Sequence, residues 1–188
     1  MVRAMHVTQA LARLLPKLSK LPGFDGERNL VRDGWHMLRA MPGGKVLFSR
    51  LLGYLAPYSG SIGASVVSLA PGRAEVHMPD RPRLRNHLNS LHAVALVNLA
   101  ELAGNVALAY SLPDDARFIV SGIEIEYLKK ARGEIVAIGE CLVPRTNARA
   151  TYRVTVSLRD SRGAEVATAV LRSLVGPKVD PGDAVNVN

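Results

Sequence analysis

Cysteine is almost missing: Cys141 is the only one among 188 residues. That excludes an internal disulfide framework and argues against a Cys/His zinc cluster. Cys141 falls in the apolar run "EIVAIGECLV", where a lone cysteine reads as a small buried hydrophobe. Aromatic residues are scarce, at 5%. That is poor material for base stacking, and no nucleic-acid-binding motif accompanies it, so nucleic acid is not an expected partner. The start "MVRAMHVTQALARLLPKLSKL" lacks the clean apolar core and small-residue cleavage site of a secretory signal, so a cytoplasmic location is expected. His6, His36, His77 and His87 show no ligand spacing, and no metal is assigned; His92 by itself reads as a capping or hydrogen-bonding residue more readily than as a catalyst. Residues 88–112 approach transmembrane length. They contain Glu101, however, and a charge at mid-bilayer costs about 2.5 to 3.5 kcal/mol, so no transmembrane segment is expected.

What is present suits a globular domain. Hydrophobic residues make up 48% and charged residues 21%, enough for a core and too apolar for bulk disorder. The net charge is +8 and unevenly placed. Residues 1–50 hold nine Lys/Arg against three Asp/Glu; the remainder holds fifteen against thirteen. An anionic partner such as a phosphate-bearing ligand or a membrane surface fits that excess.

Val7, Leu11, Leu14, Leu15, Leu18 and Leu21 recur at helical spacing and predict an amphipathic helix lying on the main domain, with membrane-surface contact as the alternative. "WHMLRAM" and "KVLFSRLLGYLAP" read as two further helices, the second stopped at Pro57. The texture then changes. "SIGASVVSLA" and "RAEVHM" predict strands joined by the turn "PGR". "PDRPRLRNHLNS" predicts a long irregular connection that Arg81, Arg83 and Arg85 keep from packing. Residues 91–111 are rich in Ala and Leu and free of Pro, which predicts a long helix capped by Asn89 or Ser90 and closed by "LPDD". Four strands follow, in "IVSGIEIEYL", "EIVAIGECLV", "TYRVTVSLRD" and "AEVATAVLRSLV", the last two joined by the hairpin turn "DSRG". In the first of them Ile123, Ile125 and Tyr127 are expected on one buried face. The predicted class is α+β. A predominantly antiparallel sheet must bury one face, and only the long helix is apolar enough to cover it. The boundaries are 1–57 for a helical extension, 58–176 for the main domain and 177–188 for a loose tail.

On that helix Glu101 stands out. A buried carboxylate must be paired, or its pKa rises, and a raised pKa near neutrality suits a general base. Asn98 at i−3 and Asn105 at i+4 can share a polar stripe with it. The helix N-terminus presents free N–H groups, and the small residues of "HAVA" let a carbonyl approach them, which is the logic of an oxyanion hole. A structural polar stripe, buried at a subunit interface, accounts for the same residues. Asn86 and Asn89 equally suit the shaping of the loop before the helix.

The stretch "NHLNSLHAVALVNLAELAG" resembles the signature of the phenylacetate-type acyl-CoA thioesterases of the hotdog superfamily. In that pattern an asparagine precedes a glycine and a His-Gly-Gly turn, and an acid follows nine residues after the histidine. Asn86, His92 and Glu101 match it. "GGKVLFSRLLG" with "PYSG" further resembles an uncharacterised, domain-of-unknown-function branch of that superfamily; the similarity spans about residues 40–175. The resemblance implies a hotdog fold, a curved antiparallel sheet wrapped around a long central helix. It implies Glu101 as base or nucleophile, the Ala93 N–H as oxyanion donor, His92 as the residue setting the turn and Asn86 as orienter of water or substrate. It implies an acyl-CoA or other acyl thioester as substrate with no cofactor, and a homodimer or dimer of dimers with sites between subunits. This chain departs in having Asn89 in place of glycine and Ala93–Val94 in place of Gly-Gly, whose side chains narrow the carbonyl's approach. Asn89, Val94, Asn98 and Asn105 are the expected lining of a substrate cleft. Arg81, Arg83 and Arg85 are the expected contacts to CoA phosphates, with Lys129, Lys130 and Arg132 as a second basic patch. The alternatives are a non-catalytic acyl- or lipid-binding protein and a 3-hydroxyacyl-thioester dehydratase.

Overall fold

The computed structural model describes residues 28–178. The amphipathic segment over 7–21 and nearly all of the C-terminal tail lie outside the described residues. Helix α1 (Leu30–Leu38) starts where the Asn29 side chain accepts the Arg32 N–H at 2.9 Å, a cap of ordinary type. It begins five residues earlier than "WHMLRAM" predicts, because the asparagine cap sets the start and Gly34 is tolerated inside the helix. Trp35 of α1 meets Phe48 of α2 (Gly44–Leu55) edge to face, with ring centroids 5.2 Å apart. Helix α2 ends before Pro57 as expected. The chain then makes one more turn, α3 (Pro57–Gly60), with proline in its first turn, where its missing N–H costs nothing. The α2 and α3 backbones touch: a Cβ on Gly60 would stand 2.7 Å from the Gly53 carbonyl oxygen.

Six strands follow the expected texture: β1 (Ser65–Ala70), β2 (Arg73–Met78), β3 (Ala116–Tyr127), β4 (Ile135–Cys141), β5 (Ala150–Arg159) and β6 (Glu165–Pro177). They form one antiparallel sheet in the order β1-β2-β4-β5-β6-β3. Alternation sets the register: Val154, Val156 and Leu158 of β5 all lie inward and buried, while Arg153, Thr155 and Arg159 are exposed. The turn from β1 to β2 needs Gly72, which has φ 73° and lies so close to β4 that a Cβ would stand 2.6 Å from the Cys141 carbonyl oxygen.

Between β2 and β3 runs helix α4 (Ala93–Ser111), and the sheet curves around it. Leu99, Ala100, Ala103, Ala107 and Leu108 are fully buried against the sheet; burying one leucine contributes about 1.5–3 kcal/mol. The approach is closest at two glycines. A Cβ on Gly139 of β4 would stand 2.6 Å from the Ala103 carbonyl oxygen, and one on Gly104 would stand 2.9 Å from Leu171. At its far end Ser111 accepts the Gly72 N–H at 2.8 Å and donates to the Ala107 carbonyl at 2.7 Å, tying the helix to the β1–β2 turn. By length and composition α4 would suit a membrane span; here most of it is buried under the sheet.

Three expectations are corrected. The helix begins at Ala93, and its cap is His92, whose Nδ1 accepts the Val94 N–H at 3.2 Å, in place of Asn89 or Ser90. The connection before it packs after all: a 3-10 turn, Pro82–Leu84, buries Leu84. Strand β3 has no fully buried face, and Tyr127 is 46% exposed, because β3 is an edge strand paired only with β6.

Candidate active site

The loop entering α4 is held by polar groups that the fold brings from elsewhere. Asn86 Oδ1 accepts the N–H of Leu88 at 2.9 Å, the N–H of Ser90 at 3.3 Å and the Ser90 hydroxyl at 3.1 Å. Its oxygen is therefore committed to shaping the turn. Asn89 has φ 53°, a left-handed conformation that asparagine tolerates better than most residues; this is why asparagine can stand where glycine is usual. Arg85 donates to Asp80 at 2.7 Å and to Asn89 Oδ1 at 3.1 Å. Asp80 also accepts the Gly133 N–H at 2.9 Å. The Arg85 hydrogen bond holds the Asp80 carboxyl below the usual carboxylate range, and the Gly133 amide adds to the effect. The turn after β3 completes the clamp: the Leu91 N–H donates to the Ala131 carbonyl at 2.9 Å, and Arg132 Nε donates to the Asn89 carbonyl at 3.3 Å.

The first turn of α4 emerges from this clamp. His92 is fixed at both ends, its N–H donating to the Leu84 carbonyl at 2.8 Å and its ring accepting from Val94. The Tyr127 hydroxyl donates to the Ala93 carbonyl at 3.2 Å, and burial raises the Tyr127 pKa. Among the described residues the Ala93 N–H has no acceptor; it is one of the orphan donors of a helix start. Ala93 and Val94 are both exposed. One backbone donor thus faces outward at the positive end of a 19-residue helix.

Glu101 lies on the face of α4 away from the sheet, in a stripe with Val94, Val97 and Asn105. It is half-buried and has no hydrogen bond or ion pair among the described residues. Asn105 shares its stripe. Asn98 turns aside, is buried, and donates from Nδ2 to the Tyr58 carbonyl at 3.0 Å, pinning α3 to the central helix. Asn98 Oδ1 and Asn105 Oδ1 are both buried without a partner. Eight residues separate Ala93 from Glu101, about 12 Å along the helix at 1.5 Å per residue. One chain therefore does not bring this acid and this amide together.

The basic residues divide. Arg85 and Arg132 hold the loop, and Lys129 pairs with Asp160 at 2.9 Å. Arg81 and Arg83 reach instead toward Gly63. His36 lies 3.1 Å from the Tyr110 hydroxyl and His77 lies 2.8 Å from Glu75, so neither joins the site. Burial pushes the Cys141 thiol up to about 11, which leaves it an unreactive hydrophobe. Sequence reasoning missed Tyr127, Asp80 and Tyr58. Strand alternation assigned Tyr127 to the core, and nothing local announces that Asp80 and Tyr58 meet residues far along the chain.

A six-stranded antiparallel sheet curved around one long helix, with the site loop at that helix's first turn, defines a hotdog fold. Within it, the model of the family described as domain of unknown function DUF4442 matches residues 44–175, and the chain belongs to that family. A structural-genomics crystal structure is 31% identical, covering 80% of this chain and 99% of its own, with a TM-score of 0.68. A Pseudomonas aeruginosa protein of unknown function, described as a probable thioesterase, is 23% identical over 73% of this chain and 97% of its own, with a TM-score of 0.63. The E. coli PaaI protein of the phenylacetic acid degradation operon is 18% identical over 71% and 99%, with a TM-score of 0.55. The last two likenesses show the fold alone. No curated protein matches the chain.

Proposed function

We propose that this protein hydrolyses an acyl thioester, with acyl-CoA as substrate, in a homodimer whose sites lie between copies. The observation that carries this reading is a half-buried carboxylate, Glu101, with no partner among the described residues, on the open face of a helix that has no other charged residue. Glu101 acts as general base on water, or as nucleophile on the thioester carbonyl. The Ala93 N–H of the other copy stabilises the developing oxyanion, aided by the helix dipole. His92 and Tyr127 position that turn, and Asn86 and Asn89 shape the loop before it. Asn105 shares the stripe of the acid, and Asn98 holds α3 against the helix. A second copy is called for by two features: about 12 Å of helix separates the acid from the amide, and among the described residues the outer edge of β3 is unpaired over twelve residues.

The experiment is hydrolysis of a panel of acyl-CoA thioesters by the wild type and Glu101→Gln. The variant is expected to lose at least about a hundredfold in kcat/KM, the scale of general-base catalysis, with an unchanged circular dichroism spectrum. Equal rates contradict the reading. One observation favours a second reading, a non-catalytic acyl-binding protein: His92 already occupies the Val94 N–H, leaving one amide donor at the turn. A retained acyl ligand with no turnover of any thioester decides for that reading.

A further inference from the structure

A cleft of about 580 Å³ opens between α2, the α3 turn and β1, on the side of α4 marked by Leu102. Its size falls in the range of ligand pockets. Neither Glu101 nor any residue of the α4 first turn lines it, and no acidic residue does. Its walls are of two kinds. Val46, Leu52 and Leu102 are the larger apolar side chains of the lining, and Arg50 and Arg81 are its charged ones.

The arginines are the unusual feature. Arg81 Nη1 lies 2.6 Å and Arg83 Nη2 3.4 Å from the point where a Cβ of Gly63 would stand. The two guanidinium groups therefore approach within about 6 Å of each other, a separation at which like charges repel. Gly63, with φ 64°, leaves room for this crowding: a larger residue would be strained in that backbone conformation and would displace the Arg81 head. Among the described residues none of Arg50, Arg81 and Arg83 has an ion-pair partner. Arg85, two residues further on, is neutralised by Asp80. Among the described residues one arginine of this loop is paired and the other two are not, Arg81 lining the cleft and Arg83 reaching its Gly63 wall.

We propose that this cleft binds a single-chain amphiphile with an anionic head. Arg50, Arg81 and Arg83 hold the carboxylate or phosphate head, and Val46, Leu52 and Leu102 take the chain. Guanidinium groups suit both heads, since each offers paired donors to two oxygens. The site is separate from the Glu101 stripe and does not depend on any hydrolysis there.

Isothermal titration of the full chain with octyl phosphate, octanoate, 1-octanol and inorganic phosphate tests the proposal. At least one of the two octyl anions is expected to bind ten times tighter than octanol or more, and tighter than inorganic phosphate; which anion does so identifies the head. Arg50→Gln with Arg81→Gln is expected to weaken that binding at least tenfold, and Val46→Trp, at an exposed lining position, to abolish it by filling the cleft. Glu101→Gln is expected to bind as the wild type does, which separates this site from the hydrolytic one. Octanol or inorganic phosphate binding as tightly as the better of the two octyl anions, wild-type binding by the double arginine variant, or loss of binding in Glu101→Gln would each overturn the proposal.

Discussion

On one side of α4, Leu99, Ala100, Ala103 and Leu108 have no exposed surface, and Gly104 lies so near β6 that a Cβ would press on Leu171. On the other side, Val94 is 50% exposed and Val97, Glu101 and Asn105 are only partly covered. The two faces share one backbone and nearly one composition. They differ in what stands opposite: a sheet that fits to the atom, or no part of the described chain. The packed face can change little without loss of stability, whereas the open face can carry an unpaired acid because nothing rests on it. The packing and the proposed chemistry are thus divided around a single helix, about half a turn apart.

Substitutions on each face sharpen that contrast. The largest effect is expected at the helix start. Ala93→Pro removes one N–H that has no acceptor among the described residues, at a first-turn position that proline favours, following a residue already extended at φ −67° and ψ 139°. Thioester hydrolysis is expected to fall by about 10²–10³, the cost of one oxyanion donor, while the unfolding midpoint in urea stays close to that of the wild type. A large drop in stability together with the rate contradicts the separation of tasks.

Next in size is the contrast between faces. Leu99→Ala, at a fully buried site, is expected to cost about 2–5 kcal/mol in urea unfolding. Val97→Ala, four residues before Glu101 on the open face, is expected to cost less than about 1 kcal/mol. Equal costs would mean the open face is packed too.

The smallest effect concerns acidity. Asp80 titrates below its ordinary value in the folded chain because Arg85 and the Gly133 amide favour its charged form. A lowered folded pKa adds stability above the unfolded value of about 3.9, and that stability is lost as the pH falls through the folded pKa. Hydrogen exchange at the Gly133 and Leu91 amides is expected to quicken on acidification below about pH 4 relative to the rest of the sheet, once corrected for the intrinsic pH dependence. Asp80→Asn should remove that extra change, at a cost of about 1 kcal/mol or less for a partly exposed pair.

Much of the fold was legible because its signals are local and repeated. Alternation placed β2, β4, β5 and β6 within a few residues of their ends, and the Ala- and Leu-rich run placed α4. Legibility failed where distant residues decide. The α4 cap moved to His92 because Leu84 and Ala131 hold the preceding backbone, and neither contact has a sequence signal. Tyr127 fits the alternation of β3, yet the strand ends at a sheet edge and the side chain reaches the helix start. Of the polar stripe, Glu101 and Asn105 could be read from helical spacing. The turning of Asn98 toward Tyr58 could not, because α3 was not foreseen. The three arginines look alike in sequence; only Asp80, five residues before Arg85, separates the paired one from the unpaired two.

The central claim is that the acid and the amide of one site come from different copies of the chain. Mixing Glu101→Gln with Ala93→Pro chains, unfolding and refolding them together, tests it directly. Each mixed dimer would hold one site with an intact acid and an intact amide and one site with neither. Recovery of about a quarter of wild-type thioester hydrolysis is expected from random pairing of the chains in a two-fold dimer, from parents that are each nearly inactive. No recovery, with mixed dimers demonstrated by native mass spectrometry, would contradict the claim.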